Sequence, residues 1–288
     1  MGGAYFTHNH ANLFYTIEGS GDPVVLIHGW ACDQSDWIFQ VPFLLTHGFQ
    51  VIALDQRGHG RSAAPLPATS DDLGACLYDP ETLTDDVAAL LKHLGIGTGN
   101  GRGKAAIVMG HSLGGVVAAE LAFRYPNMVR ALVLVDAAYY HSAAQGEQIV
   151  EILKKALEAA PEIAAAMFEQ GDMDSAETPA WLKAWRRRRT WAVPAYVITA
   201  VFEQLTAFLG QWGTAVEYMK GRIDAPKLVT CADQKKADVE RAIGLNEEVD
   251  SVGVIAAGHW FHQVEAERFN SVVERWFNER GFLSTSSG

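Results

Sequence analysis

A chain of 288 residues, 49% of them hydrophobic, can bury a large core as one domain, with or without an inserted cap. Its formal charge of −11, from 34 acidic and 23 basic residues, excludes nucleic acid as a partner and gives anionic substrates no special attraction, since no long basic tract interleaved with aromatics offsets it. Cys32, Cys76 and Cys231 are a scattered, odd set without a C-x-x-C pair, which points to a reducing compartment and to neither a disulfide framework nor zinc. Met1 to His10 is polar and glycine-rich, unlike a signal peptide, and no apolar run approaches the roughly 18 residues of a membrane span. A soluble, cytoplasmic protein is expected.

In chain order, Leu13 to Glu18 predicts a strand of an initial hairpin closed by Gly19-Ser20-Gly21-Asp22-Pro23. Val24 to His28 is continuously apolar and branched, the mark of a strand covered on both faces, and Gln50 to Asp55, Ala105 to Met109 and Ala131 to Asp136 repeat it. Helical patterns lie between them at Leu83 to Leu94 and Val116 to Tyr125. Lys227 to Cys231 and Ser251 to Ala256 supply later strands, and Ala266 to Glu279 a closing helix. Such alternation specifies an α/β fold with a largely parallel sheet, helices on both faces and a ligand site at the carboxyl ends of the strands.

One region breaks the alternation. From about Ala137 to Arg222 the sequence is helical and amphipathic, with candidate helices at Ile149 to Phe168, Trp181 to Thr190 and Ala195 to Leu209. It predicts a helical cap over residues 137–222, inserted in a core made of 1–136 and 223–288. The basic tract Arg186-Arg187-Arg188-Arg189 reads first as a solvated face of a cap helix, and otherwise as a dock for an anionic ligand. The glycine-rich Gly95 to Lys104 precedes its strand and lacks a Lys-Ser/Thr ending, so it reads as a surface connection instead of a phosphate loop.

The most informative segment is Gly110-His111-Ser112-Leu113-Gly114. An apolar strand ends abruptly in Gly-x-Ser-x-Gly and a small-residue helix follows, so one hydroxyl stands at the apex of a strand-turn-helix. A nucleophile in a strained turn needs small neighbours, or the helix collides with the strand. The hydroxyl needs a base, and His259 in Ala257-Gly258-His259-Trp260-Phe261, just beyond the last strand, is the candidate. His262 reads as a packing residue, and His28 and His111 as residues that orient loops. No H-E-x-x-H or similar spacing supports a metal site.

With these motifs in place the sequence resembles the alpha/beta-hydrolase superfamily over about residues 5 to 280. His28-Gly29-Trp30 resembles the oxyanion loop, Asp55 to Ser62 the loop after the next strand, Ser112 the nucleophile elbow and Gly258-His259 the base. The resemblance implies an eight-stranded, mostly parallel sheet with an inserted cap, and an oxyanion hole from the amides of Trp30 and Leu113. Many members carry their acid in Gly-x-x-Asp after the seventh strand. Here that position aligns with Lys235, and Asp233 lies two residues early. Asp136, ending the preceding strand, is favoured as the acid, with Asp233 the alternative and Asp238 a further possibility. A minority of relatives, among them fungal lactone hydrolases and cofactor-free dioxygenases of N-heteroaromatic rings, take the acid from that place.

The resemblance implies a serine esterase or lactonase, with two alternatives: a cofactor-independent dioxygenase of a hydroxylated ring, and a ligand-binding member without turnover. No route requires a cofactor or metal. The aromatic cap favours a medium-sized hydrophobic small molecule as substrate. Apolar cap faces leave a homodimer open.

Overall fold

The computed structural model describes residues 2–66, 77–98, 105–140, 143–170 and 173–283. Cys76 and most of the Gly95 to Lys104 segment lie outside these residues. Among them eight strands form one sheet: β1 Gly3–His8, β2 Ala11–Glu18, β3 Pro23–Ile27, β4 Gln50–Leu54, β5 Ala106–His111, β6 Val129–Val135, β7 Lys227–Cys231 and β8 Ser251–Val254. Their spatial order is β1-β2-β4-β3-β5-β6-β7-β8, antiparallel at the first two pairings and parallel from β4 onward.

The turn at Gly19 to Pro23 does not close a hairpin, contrary to expectation. The hairpin is β1–β2, through Asn9 and His10, both with the positive φ that a tight two-residue turn requires. β2 then pairs with β4, because β3 is buried along its whole length and takes parallel neighbours on both sides.

The helices before the β6–β7 connection are α1 Gln40–Thr46, α2 Pro80–His93 and α3 Leu113–Arg124. Within that connection lie α4 Ala143–Lys155, α5 Ala160–Phe168, α6 Ala180–Trp191, α7 Ala195–Gly210 and α8 Ala215–Met219. After it come α9 Gln234–Ile243, α10 Phe261–Val264 and α11 Ala266–Glu279. The period-two alternation of the strands divides the core. Val25, Ile27, Val108, Leu132 and Leu134 pack with α2 and α3, whereas Val24, Leu26, Met109 and Val133 pack with Leu44 of α1 and Phe269, Val273 and Phe277 of α11. The segment expected as one helix over Ile149 to Phe168 is two, α4 and α5, broken by a short 3₁₀ turn and restarted with Pro161 in its first turn. No single helix among the described residues is long and apolar enough to cross a membrane; α6 and α7 pass that test only jointly, across a 92° bend.

The junction of β5 with α3 leaves no room for a Cβ at either of its glycines. A Cβ on Gly110 would stand 2.1 Å from the Gly114 carbonyl oxygen, and one on Gly114 would stand 2.1 Å from the Ile27 carbonyl oxygen. Both neighbours are backbone and cannot yield, so the two glycines allow α3 to start directly above β5 and β3. Gly114→Ala should therefore lower stability by at least about 2–3 kcal/mol, an overpacking cost read by urea denaturation. A loss under 1 kcal/mol would show that the elbow relaxes more easily than its contacts imply.

Candidate active site

The strands deliver their chemistry at one edge of the sheet. Ser112 follows β5 with φ +54° and ψ −118°, and its N–H donates to the Val135 carbonyl at 2.9 Å. Among the described residues five non-glycine residues have positive φ. Beyond the two in the hairpin turn, they are Ala31, Ser112 and Asp136, each next to or within the site. Backbone strain of this kind costs of order 1–3 kcal/mol each, and it is concentrated where side chains must be held up from the sheet.

Asp136 directly follows β6 and is almost fully buried. Its Oδ2 lies 2.5 Å from Nδ1 of His259 and 2.6 Å from Nζ of Lys236, and its Oδ1 accepts the Ala232 N–H at 2.9 Å. Burial acts to raise the Asp136 carboxyl, but the His259 bond and the charges of His259 and Lys236 outweigh it and hold it well below the usual carboxylate range. Burial pushes the His259 imidazole down to about 4, against the raising effect of Asp136. The alternative acids are engaged elsewhere. Asp233 caps α9 by accepting the Lys236 N–H at 2.9 Å, and exposed Asp238 pairs with Arg241 and Gln234 on that helix.

Ser112, His259, Trp30 and Leu113 line one cavity of about 230 Å³. Leu113 opens α3, and among the described residues neither its amide nor that of Trp30 has a protein acceptor. The Trp30 indole anchors the loop to the overlying helices: Nε1 donates to the Ile198 carbonyl at 3.1 Å, and the ring packs on Phe168 and Phe202. Ile149, Met167, Leu205 and Leu209 of α4, α5 and α7 extend the wall, together with Ala138, Met173 and Trp260. Among the described residues no Asp, Glu, Lys or Arg lines it.

The loop at Asp55 to Ser62 braces this region. The Gln56 N–H donates to Nε2 of His28 at 2.9 Å, and the Ala31 N–H to Nε2 of His59 at 3.2 Å. Both histidines use Nδ1 on a carbonyl, of Gly29 and Arg57 respectively, so each must be neutral with the proton on Nδ1. Burial accordingly pushes His28 down to about 3 and His59 down to about 4.

A second buried carboxylate, Asp36, was not singled out by the sequence. Its Oδ2 meets Nδ1 of His111 at 2.7 Å, and its Oδ1 meets Arg189 at 3.1 Å and the Gln263 amide at 2.8 Å. His111 in turn reaches the His259 carbonyl at 3.1 Å. Asp36 therefore joins the residue before Ser112, helix α6 and the His259 loop. The basic tract is correspondingly not a uniformly solvated face. Arg186 is buried over Trp260 and paired with Asp174, Arg189 is buried on Asp36, Arg187 pairs with Glu169, and Arg188 is exposed. Asp36, His111 and His262 also bring metal-ligating atoms within 4.8 Å of one another, but Arg189 already neutralises Asp36 there, and a cation would have to displace it.

The model of the alpha/beta hydrolase family matches residues 24–272. The chain belongs to the alpha/beta hydrolase family. It is 39% identical over 138 residues to a non-heme chloroperoxidase of Streptomyces lividans, covering 47% of this chain and 44% of that protein. It is 37% identical over 123 residues to a bifunctional esterase/perhydrolase of Acinetobacter calcoaceticus, covering 42% and 39%. The matched stretches thus span less than half of these relatives. Among solved structures, a hydrolase from Pseudomonas aeruginosa superposes with a TM-score of 0.77 at 23% identity, covering 96% of this chain and 98% of that one. An enol-lactonase from Burkholderia xenovorans gives 0.76 at 22%, covering 96% and 100%. At these identities the superpositions establish the shared fold alone.

The neutral buried histidines make an acid-stability prediction. His28, His59 and His262, the last pushed down to about 4 by burial, have folded values below their ordinary 6.5. Their contribution is complete above pH 6.5 and is lost as pH falls toward 4, because the unfolded chain binds protons first. The melting temperature should fall progressively below pH 6.5; a flat profile down to pH 4.5 would contradict the neutral assignments.

Proposed function

We propose that this protein is a serine hydrolase that cleaves medium-sized hydrophobic esters or lactones through Ser112, His259 and Asp136. One observation carries the reading. A serine in a strained turn shares an apolar cavity with a histidine whose Nδ1 is fixed by a buried carboxylate, the three lying beyond the carboxyl ends of β5, β8 and β6. With Nδ1 engaged, Nε2 is the nitrogen left to act on the hydroxyl. The family membership supports the reading, and the name of the Acinetobacter esterase/perhydrolase agrees with ester chemistry.

In this mechanism His259 takes the Ser112 proton as Oγ attacks the substrate carbonyl carbon. The resulting oxyanion lies toward the amides of Trp30 and Leu113, an interaction worth about 2.7–4 kcal/mol per donor. Collapse breaks the bond to the leaving oxygen, which receives the proton from His259, and leaves the acyl group on Ser112. Water, deprotonated by His259, then attacks the acyl carbon, releases the acid and restores the hydroxyl. Asp136 keeps the imidazole in the required tautomer and balances its charge when it is protonated. The cavity wall explains the substrate class: a charged group on the substrate would enter without a counter-ion, whereas an apolar one meets Met167, Phe168, Phe202 and Leu205.

The test is turnover of p-nitrophenyl esters and of aryl and macrocyclic lactones, with and without oxygen. Cleavage should be independent of oxygen and lost in Ser112→Ala. It should fall by roughly 10³–10⁴ in Asp136→Asn and stay near wild type in Asp233→Asn. The acid limb of kcat/KM should lie below pH 6.5, because His259 must be neutral to act and is pushed down to about 4. Cleavage that needs oxygen and survives loss of the hydroxyl would overturn the hydrolase reading in favour of ring oxygenation.

A further inference from the structure

The mechanism above leaves one charged group at the site without a task. Lys236, on the first turn of α9, places Nζ 2.6 Å from Asp136 Oδ2, the same oxygen that meets His259 Nδ1. In the simplest Ser-His-Asp arrangement the carboxylate faces the imidazole without a second cation. Here one oxygen serves both, and the two nitrogens are held within about 5 Å of each other. The other oxygen is occupied by the Ala232 N–H, so the carboxylate cannot rotate to separate them.

The lysine is built into this position. Its own N–H is tied to Asp233, the α9 cap, and its ammonium lies 5.7 Å from the Tyr140 ring centre, whose hydroxyl donates to buried Glu240. Its side chain is one-quarter exposed, so water reaches it while Asp136 stays dry. Among the described residues, few charged and titratable groups face His259. Asp136 lies at the end of β6, Lys236 on α9, and His111 at the end of β5 with ring centres 4.6 Å apart. Behind Trp260 stands the Arg186–Asp174 pair of the overlying helical segment.

We propose that Lys236 is a positioning residue that sets the basicity of His259 by sharing the Asp136 carboxylate. The inference rests on the proposed role of His259 and Asp136. A carboxylate facing only an imidazole stabilises the imidazolium with its whole charge and raises the basicity of the ring. A lysine on the same oxygen removes part of that stabilisation and adds a repulsion across a short distance. The imidazole therefore stays neutral, and able to take the Ser112 proton, further into acid. The lowered value of His259 agrees: burial is its main cause, with the lysine's charge acting in the same direction.

The test is the pH profile of kcat/KM for Lys236→Met, Lys236→Gln and Lys236→Arg, with thermal melts confirming the fold of each. Loss of the charge in Met or Gln should move the acid limb up by roughly one pH unit, and Arg should return it to the wild-type position. A lysine that only props the loop would change the plateau, KM or melting temperature and leave the limb in place, which would overturn the proposal. Should a variant fail to fold, titration of His259 by NMR in the Ser112→Ala protein with the remaining variants reads the same shift. Ser112→Ala or His259→Ala protein that still turns over sinks the underlying mechanism. An unmoved limb in Lys236→Met, with those two variants dead, sinks only the role of the lysine.

Discussion

The close approach of two backbones governs this molecule. Helix α3 can begin where it does only because Gly110 and Gly114 put no Cβ between β5, β3 and the helix. At that junction Ser112, between strand and helix, takes a positive φ. The same turn sets the Ser112 side chain at the start of α3, where backbone N–H groups lack intrahelical partners, so the proposed nucleophile and the amides proposed to hold the oxyanion come from one local constraint. The strain is maintained by long-range bonds, such as the Ser112 N–H to Val135, and it cannot relax without disturbing the central strands.

Two buried carboxylates organise the loops around that turn in different ways. Asp136 gathers His259, Lys236 and the Ala232 amide at the end of β6. Asp36 gathers His111, Gln263 and Arg189, and through Arg189 it ties helix α6 to the turn at Gln34 to Trp37. Removing one partner from such a cluster leaves a buried charge uncompensated, which typically costs about 3–5 kcal/mol. Both clusters therefore fix geometry as much as they tune charge. The apolar cavity is walled by residues of α4, α5 and α7 and by His111 and His259, which these carboxylates hold.

Much of this was legible in the sequence, for reasons that differ by element. β7 and α11 match the sequence reading to the residue, because a buried strand and a strongly amphipathic helix carry their own periodicity. The elbow was legible because its glycines answer a steric demand that small residues alone meet. The β1–β2 hairpin is not legible from its turns: Gly19 to Pro23 has hairpin composition, but adjacency in sequence says nothing of β4 inserting beside β2. Asp36 and Lys236 were invisible as site residues. Each is a single polar residue whose partners lie far away in the chain, 75 positions for Asp36 with His111 and 100 for Lys236 with Asp136. A lysine at position 235, where an acid is common, is the nearest thing to a signal. The choice between Asp136 and Asp233 was open in sequence, and in the structure Asp136 meets His259 whereas Asp233 caps a helix.

The most direct test of the account is the capture of an acyl group on the protein. After rapid mixing with a slowly turned-over aryl ester and quenching in acid, intact mass and peptide mapping would report any covalent adduct. One acyl group per chain is expected, located on Ser112 and disappearing as product acid forms. Turnover without an adduct, or an adduct on another residue, would contradict nucleophilic catalysis at the elbow.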